Sequence, residues 1–415
     1  MSKKYYFVIL FCVRVFSVDQ LHLSYEDLSA LVRERNQHVR AFKMFQEAAE
    51  TETGHLERSY LPKVTATAGA ETFSSGPNGI RSQPFGSVQG NINVFRGGRD
   101  LLIEREKQAF ARKTTAEFEE NFQETLQEVR EIYWQLIYQN ELLLILAEAL
   151  TQNEKNGRGA ERRIKAGLVS ETDRIEFDLN ALKIKQEMIR LKLNSSNAQR
   201  LMLSLLGYSE DTKLTVLEKL PHSHEASTAD KENRLSNHRS VRGALADRDG
   251  FSARSSEAFR WWTPSVDVYG GYSLYTLRER DYVLQSDRLE PVLGVKLTIN
   301  IFDGLQSRNI STVASLRAEA MESEAKQIER NLQARLQSIR QELEVSHELI
   351  HTSEDVLDKA RRYLERTVTE YERGMKNSPD VLSATSRYYE TKARVLELKR
   401  DYLIAKAKFK NLMGE

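Results

Sequence analysis

The chain has 415 residues, enough for two or three ordinary domains. Its 61 basic and 60 acidic residues leave no net field, so neither nucleic acid nor an anionic membrane surface is implied as a partner. Charged residues make up 29% of the chain, and past the N-terminus there is no run of about 20 apolar residues. That excludes a polytopic helical membrane protein but leaves a β-barrel open, because barrel strands alternate and give a weak hydropathy signal.

Residues 1–17 read as a secretory signal: Lys3 and Lys4, the apolar run Tyr5 to Val13, then Val15-Phe16-Ser17 as a cleavage site. Cys12, the only cysteine, lies inside that run, and Leu10-Phe11 before it lacks the small residue of a lipoprotein signal. A mature chain without cysteine suits an oxidising compartment. A helix is expected from Ser24 to Tyr60, followed at Pro62 by a strand hairpin over 62–97. Its strands are Val64 to Phe73 and Phe85 to Phe95, with Val88, Ile92 and Val94 opposed to Ser87, Gln89, Asn91 and Asn93. Pro77 and Pro84 are placed in the loop Ser74 to Pro84.

No proline occurs between Pro84 and Pro221, and proline in a helix interior costs roughly 3 kcal/mol, so a long helix fits there. Phe118, Phe122, Leu126, Val129, Tyr133 and Leu136 form a heptad-like stripe that Leu143 and Leu150 continue. A helix over 99–166 would be roughly 100 Å long. Asn156-Gly157-Arg158-Gly159 is expected to weaken it without breaking it. Gly167 ends the helix in a left-handed conformation, and Ser170-Glu171-Thr172-Asp173 opens the next, over 171–206, as a capping box. A connector over 208–235 carries Pro221 and the pair His222 and His224.

The second half repeats the first. Ile92-Asn93-Val94-Phe95-Arg96-Gly97 recurs 207 positions later as Ile299-Asn300-Ile301-Phe302-Asp303-Gly304, and the same offset pairs Gly167 with Gly374, Asp173 with Asp380 and Gly207 with Gly414. Upstream, an offset of 202 pairs Val39-Arg40 with Val241-Arg242 and Pro62 with Pro264. Two copies of this length are not a short-period solenoid. The copies occupy 18–207 and 236–415. The second comprises a helix from Ser236 to Phe259, a hairpin over 263–303, a long helix over 306–373 and a helix over 378–412.

In the second hairpin, Val266 to Tyr275 pairs with a strand carrying Leu293, Val295, Leu297, Ile299 and Ile301 on one face. Gly294, Lys296, Thr298, Asn300 and Phe302 lie on the other face, the hairpin's loop is Thr276 to Glu290, and Pro291 is placed in a loop beside the strand. The alternation and the length of about 10 residues match a membrane barrel. Open sheet edges are forbidden in lipid, so four strands require an oligomer that shares one barrel: two chains give eight strands, three give twelve. Tyr60, Trp261, Trp262 and Phe302 lie at strand ends, where aromatic girdles belong.

Leu21-His22-Leu23-Ser24-Tyr25-Glu26-Asp27-Leu28, then Asn36, then Tyr60-Leu61-Pro62-Lys63-Val64 resemble the start of TolC-type outer-membrane efflux proteins. Arg163 to Ser170, Tyr371 to Gly374 and Asp380-Val381-Leu382 resemble the same family. The resemblance covers nearly the whole mature chain. It implies an α+β membrane protein: a homotrimer with a twelve-stranded β-barrel in outer-membrane lipid and coiled-coil helices forming a periplasmic α-barrel tunnel. A periplasmic adaptor, linked to an inner-membrane pump, would dock on the helical tips at Gly167, Leu168, Ser170, Gly374 and Met375. Tyr371 and Lys376 would fall among polar links that close a periplasmic gate, and Asp380 on its acidic ring. Ser383 stands where a second aspartate is usual, which halves that ring's charge, and Lys376 replaces a frequent arginine with loss of bidentate geometry.

His347-Glu348-Leu349-Ile350-His351 matches the H-E-x-x-H signature of helical zinc proteases. The first copy has Asn140 and Leu144 at the histidine positions, Thr352 and Ser353 follow where such helices continue apolar, and no third ligand is evident. No phosphate-cradling glycine loop, nucleophile constellation, cofactor site or metal site is read. The leading function is a passive outer-membrane conduit for efflux or type I secretion in a Gram-negative bacterium. The alternatives are a non-membrane coiled-coil scaffold and, less favoured, a zinc enzyme.

Overall fold

The computed structural model describes residues 20–74, 80–167, 170–216, 218–221, 232–275 and 288–414. The leader expected at 1–17, Cys12, Pro77, Leu168, His222 and His224 lie outside them. In chain order the elements are β1 Gln20–Leu23, α1 Leu28–Arg35, α2 Gln37–Glu52, α3 His55–Ser59, β2 Lys63–Ser74, β3 Ile80–Phe95, α4 Arg99–Lys165 and α5 Glu171–Leu205. There follow β4 Lys213–Val216, α6 Arg239–Phe259, β5 Ser265–Tyr275, β6 Arg288–Thr298, α7 Gln306–Glu372 and α8 Ser378–Met413. Each long helix fills a proline-free interval, and α4 runs unbroken through Gly157 and Gly159.

The single helix expected over 24–60 is three helices. Asn36 has an extended ψ of 122° and ends α1. Its Nδ2 donates to the Leu205 carbonyl at 2.7 Å, and its Oδ1 accepts from the Val39 N–H at 2.9 Å as a cap on α2. Gly54, at φ +80°, then separates α2 from α3. In the second copy His238 does what Asn36 does: its Nδ1 accepts from the Ser240 N–H at 3.3 Å and opens α6, which has no later break.

The chain divides into two compact units, each taking segments from both copies: residues 1–40, 121–232 and 332–415, and residues 41–120 and 233–331. In the first unit β1 pairs in parallel with β4, Gln20 with Lys213 through Leu23 with Val216, and β4 lies inside what the sequence marks only as connector. Glu218 fixes the following turn, accepting from Ser24 Oγ at 3.0 Å and the Tyr25 N–H at 3.1 Å. Behind it Leu126, Val129, Tyr133, Leu136 and Ile137 of α4 are buried, so the heptad stripe is core. Burial, reinforced by the Glu218 carboxylate, pushes the Tyr133 phenol pKa up.

The second unit holds a four-stranded antiparallel sheet in the order β2-β3-β5-β6. One cross-strand row runs Val64, Gly90, Gly270, Leu293, and the next on the opposite face runs Lys63, Asn91, Tyr269, Gly294. The apolar face is open to solvent: Leu293 is 85% exposed, Val64, Val88, Val295 and Leu297 are exposed as well, and so are Lys63, Asn91 and Lys296 on the opposite face. β6 ends at Thr298, so Ile299 and Ile301 lie beyond the strand to which the alternation assigns them.

Pro84 and Pro291, expected in loops, are inside strands, opposite Ala70 and Tyr272. Pro291 sits on β6, an edge strand paired on one flank only, and Pro84 lies beyond Gly86, where the pairing of β3 with β5 begins among the described residues. Proline's missing N–H is tolerated there.

At the foot of this sheet, buried carboxylates hold the start of α4. Asp100 accepts from Asn93 Nδ2 at 3.1 Å and lies 3.2 Å from His55 Nε2. Glu104, 7% exposed, receives the N–H groups of Gly54, His55 and Leu56 at 3.1, 2.6 and 3.4 Å. Burial alone would raise its pKa. The hydrogen bonds from Gly54, Gln108, Leu56 and His55 outweigh that and hold it below the usual carboxylate range.

Candidate functional site

The resemblance-based residues gather at two helix turns within the first unit. At the α4–α5 turn, Gly167 has φ +71° and its N–H meets the Ile164 carbonyl at 2.9 Å. Ser170 caps α5, but its Oγ accepts from the Thr172 N–H at 3.3 Å, one position earlier than a capping box requires. Gly167 and Ser170 are exposed, and a Cβ on Gly167 would meet open space. A side chain there is opposed by φ alone.

At the α7–α8 turn the ending is more fully made. Gly374 has φ +80°, its N–H meets the Tyr371 carbonyl, and the Met375 N–H meets the Glu370 carbonyl, both at 2.9 Å. These are the two bonds of a Schellman motif. α8 opens with a complete capping box: the Asp380 N–H donates to Asn377 Oδ1 at 3.2 Å, and the Asn377 N–H donates to Asp380 Oδ2 at 3.4 Å. Pro379 sits in the first turn. Lys376 Nζ lies 3.9 Å from Asp380 Oδ2, so two of the expected gate residues meet within one chain. Met375 and Lys376 are exposed and Asp380 is half-buried.

Tyr371 is placed differently, at 4% exposure among Ala160, Phe177 and Val381. Arg163 of α4 stacks its guanidinium 4.5 Å from the Tyr371 ring centre and donates to the Tyr371 carbonyl at 2.8 Å. One side chain thus ties the end of α4 to the end of α7. The phenol oxygen of Tyr371 and Oγ of the fully buried Ser378 have no hydrogen-bond partner among the described residues. Sequence reasoning includes Arg163 only as part of a family-like run. A basic residue in a helix's last turn commonly bonds terminal carbonyls, but nothing local indicates that the carbonyl belongs to the other copy.

His347, Glu348 and His351 are all exposed on α7, and among the described residues no three histidine, cysteine or acidic side chains come together as a metal site.

The sequence profile of the outer membrane efflux protein family matches residues 28–208 and 232–415. The chain belongs to that family. As an outer membrane efflux protein it is an outer-membrane channel and not an enzyme, which removes the scaffold and zinc-protease alternatives. Solved structures agree in fold. The outer-membrane channel OprN superposes with a TM-score of 0.81 at 15% identity, over 94% of this chain and 89% of that one. The Campylobacter jejuni outer membrane channel CmeC gives 0.80 at 14% identity, over 94% and 85%. The outer membrane protein VceC of Vibrio cholerae gives 0.79 at 13%, over 94% and 96%. No curated protein sequence matches this efflux protein.

Proposed function

We propose that this efflux protein is a homotrimer whose three sheets close one twelve-stranded barrel in outer-membrane lipid, with its helices forming a periplasmic tunnel. The observation that carries this reading is the sheet itself. It has two edge strands, β2 and β6, and one face carrying exposed apolar side chains. Hydrocarbon admits no open edge, so β6 of one copy must meet β2 of the next. Four strands per copy make twelve in a trimer, an even number of at least eight. The test uses the absence of cysteine after Cys12: cysteines scanned along β2 and β6 should give disulfide-linked trimers in outer membranes. Crosslinks that stop at dimers, or none in any register, would overturn the shared barrel.

In this reading exposed Gly167, Ser170, Gly374 and Met375, together with Leu168, contact a periplasmic adaptor, which couples the tunnel to an inner-membrane pump that supplies the energy. Tyr371, Lys376 and Asp380 form the periplasmic gate. The Lys376–Asp380 approach supports a polar closure, while buried Tyr371 would act by positioning the turn and not by facing the pore.

A further inference from the structure

We infer that His347 and His351 form a binding site for a borderline divalent transition-metal ion such as Ni²⁺, Cu²⁺ or Zn²⁺. This is a non-catalytic site on the water-facing flank of α7. The two residues lie four apart within the unbroken helix Gln306–Glu372, which places both imidazoles on one face, one turn apart. Both are exposed, and neither has a hydrogen-bond or ion-pair partner among the described residues. A ligand pair already engaged would have to break those contacts; this one does not. Imidazole is the side chain best matched to these ions, and a straight helix supplies the geometry without reorganisation.

The histidine flank is clear of both apolar stripes of α7. Leu336, Ile339, Leu343, Ser346 and Ile350 form the stripe buried within the chain. A second apolar stripe, Val345, Leu349 and Val356, is exposed. Val345 and Leu349 each lie two positions from His347, about 200° around the helix, so the histidines point away from that stripe. Glu344, three residues before His347, and Asp355, four after His351, are exposed on the histidine side. They can accept the second ring N–H of each imidazole, as carboxylates do around bound metals. Among the described residues no third side-chain ligand joins the pair, which leaves the remaining coordination positions to water. The equivalent helix of the first copy has Asn140 and Leu144 at these positions, so only one site per chain is expected.

The test is calorimetric titration of the purified full-length channel in detergent with NiCl₂. His222→Ala/His224→Ala serves as background, so that the connector pair cannot contribute. One Ni²⁺ per chain is expected, weakened at least tenfold by His347→Asn or by His351→Ala, with thermal melting unchanged in the absence of metal. His351→Ala/Thr352→His keeps the number of histidines but turns the second one about 100° off the face, and it should not restore binding. Equal affinity in the single variants, or full rescue by the displaced histidine, would overturn the site.

Discussion

Leu305 is the one described residue other than glycine with a left-handed backbone, at φ +65°. It stands 207 positions after Gly98, at φ +72°, and the other pairs Gly97/Gly304, Gly167/Gly374 and Gly207/Gly414 share positive φ at the same offset. The duplication thus extends to the backbone torsions. A left-handed L-residue costs roughly 1–2 kcal/mol, partly offset by the extra unfolded entropy of glycine, about 0.5–1 kcal/mol. Leu305→Gly should therefore raise stability by up to about 1 kcal/mol, seen as a higher melting temperature. The reverse exchange at Gly98 meets the same penalty of a left-handed φ, and a Cβ there would also push aside the exposed Arg260 guanidinium, 2.7 Å away.

Glu104 gives a second residue-scale expectation. Its carboxyl is held low in the folded state, so its contribution is present above the unfolded pKa of about 4.3 and is lost as pH falls through the lower folded value. Glu104→Gln should cost on the order of 2 kcal/mol at neutral pH, the scale of hydrogen bonds to a charged acceptor. In denaturant melts the gap between the two proteins should narrow below about pH 4. A gap independent of pH would assign Glu104 a packing role only.

Among the elements, β6 offers the sharpest contrast between faces. Leu297 is 62% exposed on the apolar side, and Thr298 is its neighbour on the other. Leu297→Arg should cost roughly 2–4 kcal/mol if it meets the bilayer near its midplane, and Thr298→Arg little, measured as yield of assembled protein in outer membranes. At the turns, Gly374→Val forces a β-branched residue into φ +80°. Efflux should fall while membrane insertion persists; normal efflux would remove the turn from the docking surface. The strands and long helices were legible because period-two alternation and proline-free stretches are local signals. Asn36 was not, because the carbonyl that its side chain caps belongs to Leu205. The β1–β4 pair escaped notice because each strand is four residues long and is defined only by the other. The Arg163–Tyr371 tie was equally hidden, since its two halves lie on different copies.

For the assembled channel, three copies of Asp380 around one axis would concentrate negative field across a narrow passage, with Ser383 adding no charge. Asp380→Asn retains an acceptor for the Asn377 N–H, so the cap survives while the charge is removed. In planar bilayers cation preference should drop with trimer yield unchanged; unaltered selectivity in folded trimers would leave Asp380 as a cap alone. The interleaving of both copies in each compact unit also dictates an order of maturation. β3 must wait for β5, its partner from the opposite half of the chain, so a first hairpin formed ahead of the second has a bare edge. Until β5 pairs with it, that edge is an aggregation hazard.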